Sequence, residues 1–129
     1  MNYSIGEFSK KCGLSIDTLR YYEKLEIIRS NRDENNRRYY TDDDFKWASF
    51  VIRIKKTGMS IKNIQTYSRL RREGTGTVPD RLQLLFDQLK SLHVQQHEID
   101  DNIEFVENKI QYYTGLNAPL ENDDKSKEV

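Results

Sequence analysis

The chain has 129 residues, about a third of them charged, and no apolar run that nears the ~20 residues of a membrane span. The start, MNYSIGEF, has no basic segment leading into an apolar one, so no signal peptide is expected, and the lone Cys12 cannot close an internal disulfide, which suits a reducing cytoplasm. Formal neutrality hides two halves of opposite sign: residues 1–72 carry 16 Lys/Arg and 9 Asp/Glu, a net +7, and residues 73–129 carry 5 and 12, a net −7, which suits one half to a polyanion.

Ser4-Ile-Gly-Glu7 has the form of a capping box and predicts a short helix with Ile5, Phe8 and Cys12 on one face. Gly13 supplies a turn. Ser15 then caps a second helix over about 16–25, with Ile16 and Leu19 inward. Two short helices joined by a glycine-containing turn make a helix-turn-helix pattern. Residues 29–41 change character: Asn31, Asp33, Asn35 and Asn36 form turns and lead into Arg37, Arg38, Tyr39 and Tyr40, which predicts a small hairpin wing with arginines near its tip. Thr41 to Asp44 opens a third helix with acids in its first turn and Phe45, Ala48, Val51, Ile52 and Ile54 inward. Gly58 ends it, and Ser60 caps a fourth helix with Ile61, Ile64, Tyr67 and Leu70 inward.

Residues 74–78 read as a linker, with Thr77 expected to cap the helix that begins at Pro79. From there to Tyr113 no Gly or Pro occurs. Leu82, Leu85, Leu89, Leu92, Ile99, Ile103, Val106, Ile110 and Tyr113 fall at alternating steps of three and four, with Gln96 in the one polar slot. Thirty-five helical residues extend for about 52 Å. A head of about 73 residues has no core for a stripe that long, so a second copy is expected to cover it. Residues 115–129 read as an acidic disordered tail, too short for a ligand domain.

These segments together resemble the MerR family of bacterial transcription regulators. The carriers are Tyr3-Ser-Ile-Gly-Glu7, Thr18-Leu-Arg-Tyr-Tyr-Glu23, Arg38-Tyr-Tyr-Thr41, and Phe50 to Ile64 around Lys56-Thr-Gly-Met-Ser60. The resemblance implies a mainly α fold: a winged helix-turn-helix head over residues 1–73, then a dimerisation helix over 79–114 that pairs as an antiparallel coiled coil. It also implies a homodimer on a pseudo-palindromic promoter, which bends and untwists double-stranded DNA so that RNA polymerase engages it, often under a small-molecule effector. An architectural, excisionase-like DNA-bending protein shares such a head, but the long heptad helix argues against it. The chain departs from the family at Glu26, where glycine is usual, so a different turn into the wing is expected; at the wing tip Asn35, Asn36 and Arg37 replace two glycines and an aromatic.

The DNA-contacting set expected from this reading is Ser15, Thr18, Arg20, Tyr21 and Tyr22 on the second helix, Arg37, Arg38 and Tyr40 on the wing, and Arg53 and Lys56 near the end of the third helix. Cations and hydroxyls serve phosphates, and Arg20 is placed for a base edge, where a bidentate arginine–guanine pair discriminates by ~1–3 kcal/mol. Two bland readings stand beside these: Arg20 in a salt bridge with Asp17 or Glu23, and Tyr40 as a core residue. Cys12 reads as a small core residue and Trp47 as a cover for the core or for a partner's helix. His93 and His97 lack further ligands at metal-binding spacing. No cofactor is expected, and no nucleophile–base constellation or phosphate loop points to an enzyme.

Overall fold

Side-chain caps fix where the first four helices begin. The computed structural model describes residues 1–115, in which five helices and one hairpin occur: α1 (Ile5–Cys12), α2 (Ile16–Lys24), β1 (Asn31–Arg32), β2 (Arg38–Tyr39), α3 (Asp42–Lys56), α4 (Ile61–Glu73) and α5 (Val78–Thr114). The expected acidic tail lies outside the described residues apart from Gly115. The Ser4 hydroxyl accepts from the Glu7 amide at 3.2 Å, and the Glu7 carboxylate accepts from the Ser4 amide at 2.8 Å, so both halves of the capping box form. Ser15, Thr41 and Ser60 likewise accept from Thr18, Asp44 and Asn63 three residues on. Between α1 and α2, Gly13 sits at φ 78°, a left-handed conformation that a Cβ penalises.

By its internal contacts the chain divides into two units, Met1–Leu89 and a second that begins at Lys90. The first holds a core of Phe8, Leu19, Tyr22, Ile27, Ile28, Tyr40, Trp47, Ala48, Val51, Met59 and Ile64. Each helix of the head contributes at its inward spacing, as amphipathic periodicity requires. Trp47 is 8% exposed and stacks on Phe50 and Tyr67, while its indole N–H donates to the Ile27 carbonyl at 2.7 Å. Cys12 is half-buried against the same core.

Two local expectations need correction. Glu26 does adopt the left-handed backbone that glycine usually supplies, at φ 61°, so the turn into the wing is kept despite the substitution. Bonds from elsewhere hold it there: the Tyr22 carbonyl accepts from Ile27 at 2.8 Å, and the Glu26 carbonyl accepts from the Ser68 hydroxyl at 3.2 Å and Arg72 at 2.7 Å. The Thr77 hydroxyl caps no backbone amide of the helix that follows: it donates to the Leu70 carbonyl at 2.6 Å and accepts from the Arg81 side chain of α5 at 3.0 Å, and residues 75–77 form one turn of 3-10 helix within the linker. At the wing tip, by contrast, Asn36 takes the positive φ of 60° expected of it.

Six of the nine apolar residues of the expected stripe on α5 are exposed, and Leu85, Leu92 and Tyr113 are half-buried. Within the first unit, Leu82 and Leu89 are 44% and 48% exposed. Within the second, Ile99, Ile103, Val106 and Ile110 are each at least half exposed. Phe86, Val94 and Phe105, off the stripe, are exposed as well.

Candidate nucleic-acid interface

The short helix α2 has a clear inside and outside. Leu19 and Tyr22 enter the core at 0% and 8% exposure, which turns Arg20, Tyr21 and Lys24 to solvent. Thr18 is half-buried at the capped end, where its hydroxyl accepts from Ser15 Oγ at 2.9 Å. Arg20 forms no ion pair with Asp17 or Glu23. Glu23 is already committed elsewhere, and the guanidinium stands exposed.

That commitment ties the wing to α2. Arg38 Nε and Nη2 grip Glu23 in a bidentate pair, with Nη2 to Oε2 at 2.8 Å and Nε to Oε2 at 3.0 Å, and the Ser30 hydroxyl donates to the same carboxylate. The Arg38 guanidinium holds the Glu23 carboxyl below the usual glutamate range, with help from Ser30 against an opposing desolvation cost. Arg38 is thus a half-buried brace at the base of the wing, and Arg37 stands exposed at the tip. The tip is organised by Asp33, whose Oδ1 accepts from the amides of Asn35 and Arg37, both at 2.9 Å. Arg32 Nη1 donates to the Asn36 carbonyl at 3.1 Å. A two-residue bridge of Tyr3 with Tyr40, at 2.7 and 2.8 Å, sews the wing to the N-terminus.

Tyr40 is a correction. It is 1% exposed, stacked on Phe8 with ring centroids 4.2 Å apart, and burial raises its pKa. A side chain so enclosed is part of the core and not of a surface that DNA reaches. Tyr22 is also a core ring, its pKa raised by burial, so of the adjacent pair Tyr21 is the exposed one. Arg53 and Lys56 are exposed near the end of α3 and, with Lys11, Cys12 and Phe45, line a small cavity of about 260 Å³. Lys11 also lies over the rings of Phe45 and Tyr3, with its Nζ 4.5 and 5.2 Å from their centroids.

Asp33 was expected as a turn former of the wing, and its carboxylate does order the tip. The sequence reading missed two groups that position the wing, Glu23 and Ser30. They gave no signal, because their partners lie seven and fifteen residues away in the chain.

A helix after a glycine turn that exposes Arg20, Tyr21 and Lys24, a braced wing and a long helix with a largely exposed apolar stripe define a winged helix-turn-helix protein. A model of the MerR HTH family regulatory proteins matches residues 3–70. The chain is also 33% identical over 119 residues to an HTH-type transcriptional regulator of Haemophilus influenzae, covering 92% of this chain and 88% of that one. The chain therefore belongs to the MerR family of helix-turn-helix transcriptional regulators. Among solved structures, it is similar to a MerR family regulator from Listeria monocytogenes, at 32% identity and TM-score 0.76 over 87% of this chain and 86% of that one. It is also similar to HiNmlR, a MerR family regulator lacking the sensor domain and bound to promoter DNA, at 33% identity and TM-score 0.73 over 89% of this chain and 92% of that one.

Proposed function

We propose that the chain is a homodimeric transcription regulator whose two heads, each within residues 1–73, bind a pseudo-palindromic promoter operator. The observation that carries this is a head of net +7 over residues 1–72, with Arg20, Tyr21 and Lys24 exposed on α2, joined to a largely exposed apolar stripe on α5. Apolar side chains half open to water cost roughly 25 cal/mol per Å², and a second copy removes that cost. The stripe is symmetric about its midpoint. Antiparallel pairing sets Leu82 against the partner's Tyr113, Leu85 against the partner's Ile110, Leu89 against the partner's Val106, Leu92 against the partner's Ile103 and Gln96 against the partner's Ile99, so no layer is left unmatched.

In this reading Arg20 and Tyr21 enter the major groove from each head, with Thr18 and the capping Ser15 beside them. Arg37, Arg53 and Lys56 meet phosphates, and Arg38 holds the wing in place through Glu23. Bending and untwisting the promoter connects the dimer to RNA polymerase through the DNA. The similarity to a promoter-bound family member supports this over an accessory DNA-bending role.

The test is a gel-shift titration on the DNA upstream of the protein's own gene. Arg20→Ala is expected to weaken binding roughly tenfold or more, as losing one base-edge contact does. Affinity is expected to fall linearly on a log–log plot against salt with a slope of several phosphates. A flat salt response, or unchanged affinity in the variant, refutes the placement.

A further inference from the structure

A cleft of about 540 Å³ lies between the turn that ends α2 and the flank of α4. Four cations line it, Arg29, Lys62, Arg69 and Arg72, against two carboxylates, Glu26 and Glu73. Both carboxylates are already paired, Glu26 with Arg29 at 2.9 Å and Glu73 with Arg69 at 3.5 Å. Arg72 and Lys62 form no ion pair among the described residues. Arg72 is nonetheless held in place: its Nη1 donates to the Glu26 carbonyl at 2.7 Å and to the Ser68 hydroxyl at 2.8 Å. These bonds fix the guanidinium without neutralising it, and Ser68 is itself buried at 1% exposure. The carbonyl that anchors it belongs to Glu26, whose left-handed backbone is the kind of local strain that concentrates at functional positions. Burial and the nearby Arg29 weaken the hold of Arg72 on its proton, against an opposing pull from Glu26.

We infer that this cleft is a binding site for the phosphate group of a small molecule. An ordered guanidinium offers a planar fork that matches phosphate oxygens, and Lys62 supplies a point charge on the α4 side. A bound dianion balances the excess of two positive charges. It also spans the C-cap turn of α2 and helix α4, elements otherwise joined here by Gln65 Nε2 to the Leu25 carbonyl at 3.1 Å and by the Ser68 and Arg72 bonds. The cleft begins at Leu25, past the last residue of α2, whereas a recognition helix reads bases with its N-terminal residues. None of the residues placed on DNA above lines the cleft.

The probe is inorganic pyrophosphate, titrated into the full chain by calorimetry at low ionic strength. One site per chain is expected. Lys62→Gln combined with Arg69→Gln should weaken it roughly tenfold or more, as loss of charge-assisted bonds does. Both side chains are exposed, so the variant should fold, which its thermal unfolding checks. Arg20→Ala should leave pyrophosphate binding intact. The double variant should also bind promoter DNA as the parent does when pyrophosphate is absent. No saturable heat at millimolar pyrophosphate, or equal binding by the double variant, overturns the site. A double variant that loses promoter affinity with a shallower salt slope assigns these cations to the DNA backbone instead, which sinks the small-molecule site and leaves the DNA-binding reading standing.

Discussion

Replacing Glu23 by glutamine tests whether the wing is held to the recognition helix by charge. The change keeps the shape of the side chain and removes its charge, leaving Arg38 without its anion. A hydrogen bond to a charged group contributes about 1.5–3 kcal/mol. The two side chains are 30% and 24% exposed, so water screens part of that, and a loss of about 1–2 kcal/mol is expected. In a head of this size that lowers Tm by roughly 5–10 °C. The assay is thermal unfolding at fixed protein concentration, since a dimer's Tm depends on concentration. The pH dependence supplies a second readout. The folded Glu23 carboxyl titrates below its unfolded value of about 4.3. The stabilisation is therefore fully present above that unfolded value and is lost as pH falls through the lower folded one. The gap between parent and variant should stay constant near neutrality and close in acid. Equal Tm values at pH 7, or a gap that persists unchanged into acid, would refute the brace.

Glu26→Gly should raise Tm by a few degrees, because glycine relieves about 1 kcal/mol of left-handed strain while the exposed Arg29 pair it removes contributes little; a lower Tm in differential scanning calorimetry would show that the turn depends on the Glu26 side chain. Leu89→Asp with Ile103→Asp should give monomers by sedimentation velocity, and a persistent dimer would show that the stripe is not the interface. Trp47→Phe should cost roughly 1–2 kcal/mol in urea unfolding, because the indole N–H to the Ile27 carbonyl is buried and the Arg71 guanidinium, 4.3 Å from the ring, loses its best aromatic partner; unchanged stability would remove the ring from the core account.

What the sequence showed and what it hid divide by distance along the chain. The caps at Ser4, Ser15, Thr41 and Ser60 were legible because each is satisfied three residues on, within one turn. The stripe on α5 was legible because a helix repeats its face every three or four residues. Tyr40 was open between core and contact, and only its stacking on Phe8, thirty-two residues earlier, decides it. Glu26 misled for the same reason. Propensity at one residue argued for a changed turn, but Ser68 and Arg72, more than forty residues away, hold the left-handed backbone against its local cost.

The same division bears on how the head keeps its shape. The surface expected to read DNA rests on short-range devices, a capped nine-residue helix and an Asx-ordered wing tip. Neither has enough apolar burial of its own to be rigid. Rigidity comes from the long-range ties at their edges: Arg38 to Glu23 between wing and helix, the Tyr3–Tyr40 bridge beneath the wing, and Ser68 and Arg72 on the Glu26 carbonyl behind the helix. A contact residue such as Arg20 is therefore replaceable without harm to the fold. Loss of Glu23 should move the wing, and Arg37 with it, while leaving Arg20 and Tyr21 on α2 chemically unchanged. That difference separates the two kinds of variant. Arg20→Ala should change operator affinity at constant Tm, and Glu23→Gln should lower both together.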